Sequence, residues 1–156
     1  MIRVVWAREE IPEGPSVFLA GPTPRAGDGV PSWRPAAIDA IRAHWSGPLT
    51  VLTPESKGGV RAKHYDDQFV WETAARAAAD VVLFWIPRDL ATMPGMTTNV
   101  EFGHDVAVHR QIVLGCPPDC PNPERNRYLI ALARRYGAPV CETLDDTVRT
   151  ALARIS

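Results

Sequence analysis

The chain has 156 residues, of which 46% are hydrophobic and 22% are charged, and its formal net charge is -1. This length suits one domain spanning residues 1–156 and is too short for two domains with independent cores. Because the charge is nearly balanced and no stretch reaches the roughly 18 apolar residues of a membrane helix, we exclude nucleic acid polymers and the membrane as partners and expect a small molecule.

Runs of Val, Ile, Leu and aromatic residues predict the strands. Five runs are strong and a sixth is weaker; in chain order they cover residues 2–6, 17–20, 49–52, 81–86, 111–114 and 139–141. Apolar residues at helical spacing predict helices over residues 32–44, 66–79, 124–136 and 144–155, and another helix begins near Thr98. The polar segment between the first two strands is not a standard crossover, so we expect the first strand at an edge of the sheet.

Strands that are apolar throughout and alternate with helices indicate a mainly parallel sheet, because a strand buried on both faces shows no polar alternation. The predicted fold class is therefore α/β, with three layers: a mainly parallel sheet and helices on both of its faces. Ligands of such sheets bind beyond the carboxyl ends of the strands. The function should therefore depend on four loops, over residues 21–34, 53–59, 87–99 and 115–126.

The first of these loops opens with Gly21 and Pro22, which allow a sharp turn and a close approach of a ligand to the main chain. It ends on Ser32, Trp33 and Arg34, which offer N–H groups, an indole face and a cation to a ligand. The alternative is that Ser32 is a helix N-cap, Trp33 packs on the sheet and Arg34 is solvated. The chain contains neither G-x-x-x-x-G-K-[ST] nor G-x-G-x-x-G, so the usual signatures of ATP hydrolysis and dinucleotide redox chemistry are missing.

Glu101 lies in the segment MTTNVEFGHD and has two interpretations. Thr98 and Glu101 fit the capping box S/T-x-x-E, in which both side chains satisfy free N–H groups at the start of a helix. Alternatively, Glu101 is catalytic, because its helix starts beyond the carboxyl end of the most apolar strand, where a carboxylate faces the expected ligand crevice.

Two further carboxylates are candidates for the same crevice. Glu72 follows Trp71 on the preceding helix, and Asp89 follows Arg88 just after a strand. Carboxylates around one crevice can divide the work of breaking a bond between a sugar and a base, since one attacks or stabilises the sugar cation while another protonates the base. The alternatives are that Glu72 pairs with Arg76 on its own helix and that Asp89 is only a turn residue.

Six segments, taken together and in order, resemble a known family. They are FLAGPTPR (18–25), SWR (32–34), Trp71-Glu72, ADVVLFWIPR (79–88), TTNVEFG (97–103) and ERNRYL (124–129). The family that they resemble is the nucleoside 2-deoxyribosyltransferase-like family, and the resemblance covers most of the chain from Val17 onward. It implies a flavodoxin-like fold and an enzyme that cleaves the N-glycosidic bond of a nucleoside or nucleotide through a sugar ester on a glutamate.

The resemblance also implies roles for individual residues. Glu101 stands at the position of the nucleophile, and Glu72 at that of an acid that contacts the base. Phe18, Gly21 and Pro22 would line the sugar side. Other substrate contacts are expected from Trp33, Arg34, Trp71, Arg88, Asp89, Thr98 and Asn99, and either tryptophan would stack on the base.

The chain departs from the better-known transferases at Phe18, where these enzymes commonly have a tyrosine whose hydroxyl touches the nucleophile. Glu101 must then be tuned by other groups, such as Thr97, Thr98 or a backbone N–H. Neighbouring subunits complete the active sites of this family, which predicts a homo-oligomer, a dimer or higher. The expected small-molecule partners are a nucleoside or nucleotide and a free nucleobase.

Three functions stay open at this point. The first is transfer of the sugar to a second nucleobase. The second is hydrolysis of a nucleoside or its 5′-monophosphate, for which Arg25, Arg34 or Arg88 would bind the phosphate. The third is a nucleotide-binding or sensing module without turnover, which the absent tyrosine hydroxyl favours.

The cysteines give little indication of a metal or a disulfide. Cys116 and Cys120 form a C-x-x-x-C pair, which Cys141 would have to join at a metal, but the four histidines add no pair spacing typical of zinc sites. An odd number of cysteines argues against a disulfide framework. We therefore expect reduced thiols, no metal and no cofactor, and the absence of a signal-peptide pattern predicts a cytoplasmic location.

Overall fold

A computed structural model describes residues 1–156 and contains one six-stranded sheet in which all neighbouring strands are parallel. The strands are β1 (Ile2–Val5), β2 (Ser16–Ala20), β3 (Leu49–Leu52), β4 (Val81–Trp85), β5 (Ile112–Gly115) and β6 (Val140–Cys141), in the spatial order β1-β3-β2-β4-β5-β6. The helices are α1 (Arg34–His44), α2 (Tyr65–Ala78), α3 (Met96–Ala107), α4 (Arg127–Arg135) and α5 (Leu144–Leu152). The predicted α/β class is confirmed.

Strand β4 shows why the central strands are apolar throughout. Val82 and Phe84 belong to the core cluster that includes α2, α3 and α4. Val81, Leu83 and Trp85 belong to a second cluster, which includes α1 and α5. Because successive side chains of a strand point to opposite faces, the sheet is covered on both faces, as predicted.

The bounds of most predicted elements agree with the structure to within a few residues. The first strand is an edge strand, as expected, and pairs only with β3. The helix predicted over residues 124–136 is divided: a 3-10 turn covers Pro123–Asn126, and α4 follows it directly. None of the helices is both long enough and apolar enough to cross a bilayer.

The site is positioned by the order of the strands. Strands β2 and β4 are neighbours, but β2 leads into α1 on one face of the sheet, whereas β4 leads into α3 on the other. The loops that leave two such strands diverge, and a crevice opens between them at the carboxyl ends of the strands. This is the part of the fold where a ligand is expected.

Candidate functional site

A pocket of about 390 Å³ lies at the expected crevice. The loops after β2 and β4 form part of its wall, together with side chains of α2 and α3. Its charged lining residues are Arg25, Glu72 and Glu101. A second pocket, of about 360 Å³, lies between α2 and α3 and is also bordered by Glu72 and Glu101. The two carboxylates predicted from the sequence therefore border the same space.

Two glycines allow the loops of the pocket to pack closely against neighbouring residues. Gly21 has φ 146°, and a Cβ atom there would lie 2.2 Å from the carbonyl oxygen of Trp85 in β4. Gly95, with φ 68°, precedes α3, and its Cβ atom would lie 2.7 Å from Nη1 of Arg88. Both backbone conformations strain any other residue, and both positions lack room for a side chain. The pocket therefore depends on glycine at each position.

Glu101 is not part of a capping box. Helix α3 starts at Met96 and has Gly95 at its N-cap, so Thr98 and Glu101 are the third and sixth residues of the helix. No side chain caps the helix. The structure therefore contradicts the capping alternative, because the left-handed Gly95 begins the helix earlier than the local S/T-x-x-E pattern indicates. Only 15% of the Glu101 side chain is exposed, and the residue borders the pocket.

The environment of Glu101 favours its protonated form. Burial is the largest effect and raises the pKa of the carboxyl to about 7, against the opposing charge of Arg76. The negative charges of Glu72 and Asp105 raise the pKa further, and the more distant Arg34 lowers it. A carboxyl group that titrates near neutral pH beside a cavity is typical of catalytic sites.

The nearest cation to Glu101 is Arg76, whose Nη1 lies 3.7 Å from Oε1 of the carboxylate. The guanidinium is fixed by Asp105, which accepts bonds from Nε at 3.0 Å and from Nη2 at 3.2 Å. Asp105 is fully buried and also accepts a bond from Arg110. The alternative that Glu72 pairs with Arg76 is contradicted, because Arg76 forms this buried pair with Asp105 between helices α2 and α3.

Glu72 is held by a neutral donor. Nε2 of Gln68 donates to Oε1 of Glu72 at 2.7 Å and to the carbonyl oxygen of Pro54 at 2.9 Å. Oε1 of Gln68 accepts from Nη1 of Arg8 at 2.8 Å. Because a guanidinium only donates, the oxygen of the Gln68 amide must face Arg8, and its NH₂ group must face Glu72. The orientation of the Glu72 carboxylate therefore depends on a residue of the N-terminal segment.

The loop after β2 (residues 21–33, the β2 loop) is stabilised from within the protein by Ser32, Trp33 and Arg34. Arg34 is almost completely buried, its guanidinium donates to the carbonyl oxygens of Leu19 and Gly21, and burial lowers its pKa to about 10. Nε1 of Trp33 donates to the carbonyl oxygen of Pro22 at 3.0 Å, and the Trp33 ring stacks under the Arg34 guanidinium. Neither residue lines the pocket. Ser32 precedes the helix and accepts a bond from the backbone N–H of Arg34.

Arg88 stabilises the loop after β4 (residues 86–95, the β4 loop) from within the protein. Its guanidinium donates to the carbonyl oxygens of Pro94 and Gly95, to Oδ1 of Asn99 at 2.7 Å and to Oδ1 of Asn126 at 3.0 Å. The side chain is almost completely buried, and burial lowers its pKa. Arg88 and Asn99 therefore stabilise the loop that precedes α3, and neither lines the pocket.

Three other residues predicted to contact substrate also lie outside the pocket lining. Phe18 is buried in the core, with its ring 6.4 Å from that of Trp71. Nε1 of Trp71 donates to the carbonyl oxygen of Glu9 at 2.7 Å. Asp89 accepts bonds from the N–H of Ala91 and the hydroxyl of Thr92, which lower its pKa, so it has the geometry of a turn residue. Of the predicted contact residues, Gly21, Pro22 and Thr98 line the pocket.

The cysteines lie apart from the pocket. All three are free, and Cys116 is buried. The structure contains no group of three His, Cys, Asp or Glu side chains placed to hold a metal ion.

The sequence reasoning missed the residues that support the two carboxylates. Gln68 stands four residues before Glu72 on the same helix, so the spacing offered a signal for their hydrogen bond. Arg76 and Asp105 belong to different helices, and no local pattern indicates that they meet. Arg25 and Thr97 line the pocket, whereas the sequence predicts only phosphate binding for Arg25 and tuning of Glu101 for Thr97.

The fold and the pocket define a class of protein: an α/β domain with a pair of carboxylates at a pocket where the strand order reverses. The family model described as nucleoside 2-deoxyribosyltransferase like matches residues 14–120, which include β2 to β5 and all the residues of the pocket. The chain therefore belongs to the nucleoside 2-deoxyribosyltransferase-like family. No curated protein matches the chain at a significant level.

Proposed function

We propose that the protein cleaves the N-glycosidic bond of a nucleoside or deoxynucleoside through a covalent ester between the sugar and Glu101, and transfers the sugar to a second nucleobase. The observation that carries this proposal is that Glu101 and Glu72 border one cavity at the carboxyl ends of β2 and β4. Membership of the family supports the same general kind of reaction. The cavity, at about 390 Å³, also falls in the usual range for small-molecule sites.

The reaction has two halves. In the first, a carboxylate oxygen of Glu101 attacks C1′ of the sugar, the C1′–N bond breaks with its electron pair leaving on the base, and Glu72 supplies a proton to that base. In the second, a nitrogen of the incoming base attacks C1′, the ester bond breaks to restore the Glu101 carboxylate, and the ionised Glu72 accepts the proton of the incoming base. Each half passes through a sugar with oxocarbenium character, which a nearby carboxylate stabilises.

The substrate contacts divide into direct and indirect ones. We assign direct contact to Gly21, Pro22 and Thr98, which line the pocket with the two glutamates. The other predicted contact residues act on the shape of the pocket: Trp33 and Arg34 through the β2 loop, Arg88 and Asn99 through the β4 loop, Asp89 through its turn, and Phe18 and Trp71 through the core.

A second candidate is hydrolysis of a nucleoside 5′-monophosphate, in which water replaces the incoming base. The observation that favours it is Arg25, an exposed cation that lines the pocket beside Thr23. A guanidinium and a hydroxyl together suit a phosphate group. Arg34 and Arg88 are less suited to this role, because their guanidinium groups already bind acceptors within the protein.

A panel assay separates the candidates. The protein is incubated with ribo- and deoxyribonucleosides and their 5′-monophosphates, with and without an acceptor base, and the released base is followed by chromatography. Exchange that requires the acceptor indicates a transferase, and release without an acceptor indicates a hydrolase. A thermal shift with these compounds but no turnover would replace the proposal with a binding module.

The covalent step has its own test. A nucleoside with fluorine at C2′ destabilises the oxocarbenium-like transition state, and so allows a sugar ester to accumulate when the first half reaction is faster than the second. Proteolysis and mass spectrometry then locate the added sugar. We expect the sugar on the peptide that contains Glu101. A sugar on Glu72 would exchange the roles of the two glutamates, and turnover without any adduct would argue against an ester.

We further propose that the protein acts as a homo-oligomer whose second copy covers the outer face of α2 and α3. This face exposes Tyr65, Phe69, Met96 and Val100, and all four border one or both of the two pockets. Exposed apolar side chains in such a cluster mark association sites. Sedimentation of the protein and of Phe69→Ser tests the proposal: we expect the variant to dissociate, and a monomeric parent protein contradicts it.

A further inference from the structure

The buried guanidinium of Arg76 has one nitrogen that Asp105 does not bind. Asp105 accepts from Nε and Nη2, which form one edge of the planar group. The remaining nitrogen, Nη1, is the one that lies 3.7 Å from Oε1 of Glu101. The same residue lines the pocket between α2 and α3 next to Glu101. Arg76 therefore presents a fixed positive charge to the carboxylate from the side of α2.

The distance between Arg76 and Glu101 matters for reactivity. At 3.7 Å the two groups form an ion pair but not a hydrogen bond, since a hydrogen bond of this type is about 2.7–3.2 Å long. A strong hydrogen bond would occupy a lone pair of the carboxylate and weaken it as a nucleophile. A charge at this distance favours the ionised form and leaves the lone pairs of the oxygen available.

We propose that Arg76 is a positioning residue for the nucleophile: Asp105 fixes its guanidinium, and the guanidinium favours the ionised form of the Glu101 carboxylate and orients it toward the pocket. This inference rests on the proposed role of Glu101 in N-glycoside cleavage. Arg76 itself touches no reacting atom in this scheme. It acts only through the charge and the position of Glu101.

The other charged groups around Glu101 make this counter-charge important. Glu72 approaches from α2, Asp105 and His104 belong to the same helix as Glu101, and Arg34 contributes from α1 at a greater distance. Burial, Glu72 and Asp105 all raise the pKa of Glu101, and Arg76 is the largest influence that lowers it. Arg76 is therefore the main group that favours the ionised form of the Glu101 carboxylate.

The test compares two arginines that bind the same aspartate. Arg76→Gln removes the charge next to Glu101, whereas Arg110→Gln removes the other guanidinium bound to Asp105, which the structure does not place in contact with Glu101. The readout is the pH dependence of kcat/KM, whose acidic limb reports the ionisation of the free enzyme. We expect the acidic limb of Arg76→Gln to lie about one pH unit higher than that of the parent protein, so that kcat/KM at acidic pH is about tenfold lower. The acidic limb of Arg110→Gln should stay in place.

Equal shifts in the two variants, or no shift in Arg76→Gln, would show that Arg76 only supports the fold. Thermal melting confirms that each variant is folded before its profile is compared. Should Arg76→Gln not fold, the parent protein provides the answer through NMR of its ¹⁵N-labelled arginine side chains. The chemical shifts of Arg76 should then change with a midpoint near pH 7 in the parent protein. This change should be absent in Glu101→Gln. Arg76 signals that do not change over this range would overturn the proposal.

A third measurement separates this inference from the proposed function. The ¹³C carboxyl signal of Glu101 is titrated in the parent protein and in Arg76→Gln, which requires no substrate. A shifted midpoint with no base release from any nucleoside or monophosphate would retain Arg76 as the counter-charge and reject the reaction. Base release with an unshifted midpoint would retain the reaction and reject the role of Arg76.

Discussion

Glu72 and Glu101 border the same pocket, yet the structure supports the two side chains by different means. Glu72 receives a hydrogen bond from a neutral amide, that of Gln68. Glu101 receives no hydrogen bond from a side chain and faces a cation fixed at 3.7 Å. A neutral donor fixes the orientation of a carboxyl group in either protonation state, whereas a nearby cation favours the ionised form.

This difference indicates how the two residues divide the reaction. A group that gives and takes a proton benefits from an orientation that does not depend on its charge. A nucleophile benefits from a charge that favours ionisation without occupying its lone pairs. The supports therefore suit Glu72 as the proton donor and Glu101 as the nucleophile, and the following predictions test that division from the largest effect to the smallest.

Loss of the Glu101 carboxylate should have the largest effect. Glu101→Gln keeps the shape of the side chain but replaces the nucleophilic oxygen, so we expect base release to fall by at least about a thousandfold. Initial rates from chromatography measure the change, and thermal melting should show a folded variant. Rates within tenfold of the parent protein would remove Glu101 from the chemistry.

The same substitution should reveal the cost of burying the charge. The pKa of Glu101 rises from 4.5 to about 7 in the folded protein, so the folded state holds this proton more tightly than the unfolded state. The stability that results is complete below about pH 4.5 and is lost as the pH rises through about 7. Relative to the parent protein, Glu101→Gln should therefore gain up to about 3 kcal/mol in free energy of unfolding across this range.

Urea unfolding at several pH values between about 4.5 and 7.5 measures this gain. Glu13→Gln serves as the control, because it changes an exposed carboxyl group that does not line the pocket. We expect a pH-dependent difference only for Glu101→Gln. If the free energy of unfolding depends on pH in the same way in both variants, the Glu101 charge is hydrated in the folded protein.

The proton donor should show a smaller loss that depends on the leaving group. Glu72→Gln removes the proton supply, so we expect release of an ordinary nucleobase to slow by about a hundredfold. A base analogue that leaves readily as an anion needs less help, and its release should slow by less than tenfold. An equal loss for both substrates would assign Glu72 to binding and not to proton transfer.

The sequence predicted the layers of the fold because the signal for them is local. A strand such as β4, which is apolar at all of its positions, can only be buried on both faces. The capping alternative for Thr98 and Glu101 fails for a related reason. The S/T-x-x-E pattern is local and common, but the left-handed Gly95 sets the true start of the helix, and nothing around Thr98 reveals that conformation.

The arginines show what local patterns cannot reveal. A sequence places Arg34 and Arg88 next to the crevice loops but does not show whether acceptors inside the protein already bind them. The structure supplies these acceptors from residues up to 38 positions away, as in the bond from Arg88 to Asn126. Similarly, the counter-charge of Glu101 comes from a different helix, and its own anchor, Asp105, lies 29 residues further along the chain.

The smallest predicted effect concerns the support of Glu72. Gln68→Leu removes the bond to Glu72, together with the bonds to Pro54 and Arg8, while roughly keeping the size of the side chain. One such hydrogen bond contributes about 0.5–1.5 kcal/mol. We therefore expect kcat/KM for an ordinary nucleobase to fall by about two- to tenfold, with less effect on a base that leaves readily.

Ser56→Ala is the matched control for Gln68→Leu. It removes another acceptor of the Arg8 guanidinium, at 3.0 Å from Nη1, but leaves the bond between Gln68 and Glu72 in place. If orientation of Glu72 is what matters, Ser56→Ala should retain nearly full activity. A loss equal to that of Gln68→Leu would assign the effect to the position of Arg8 and not to Glu72, because both variants remove an acceptor of the Arg8 guanidinium.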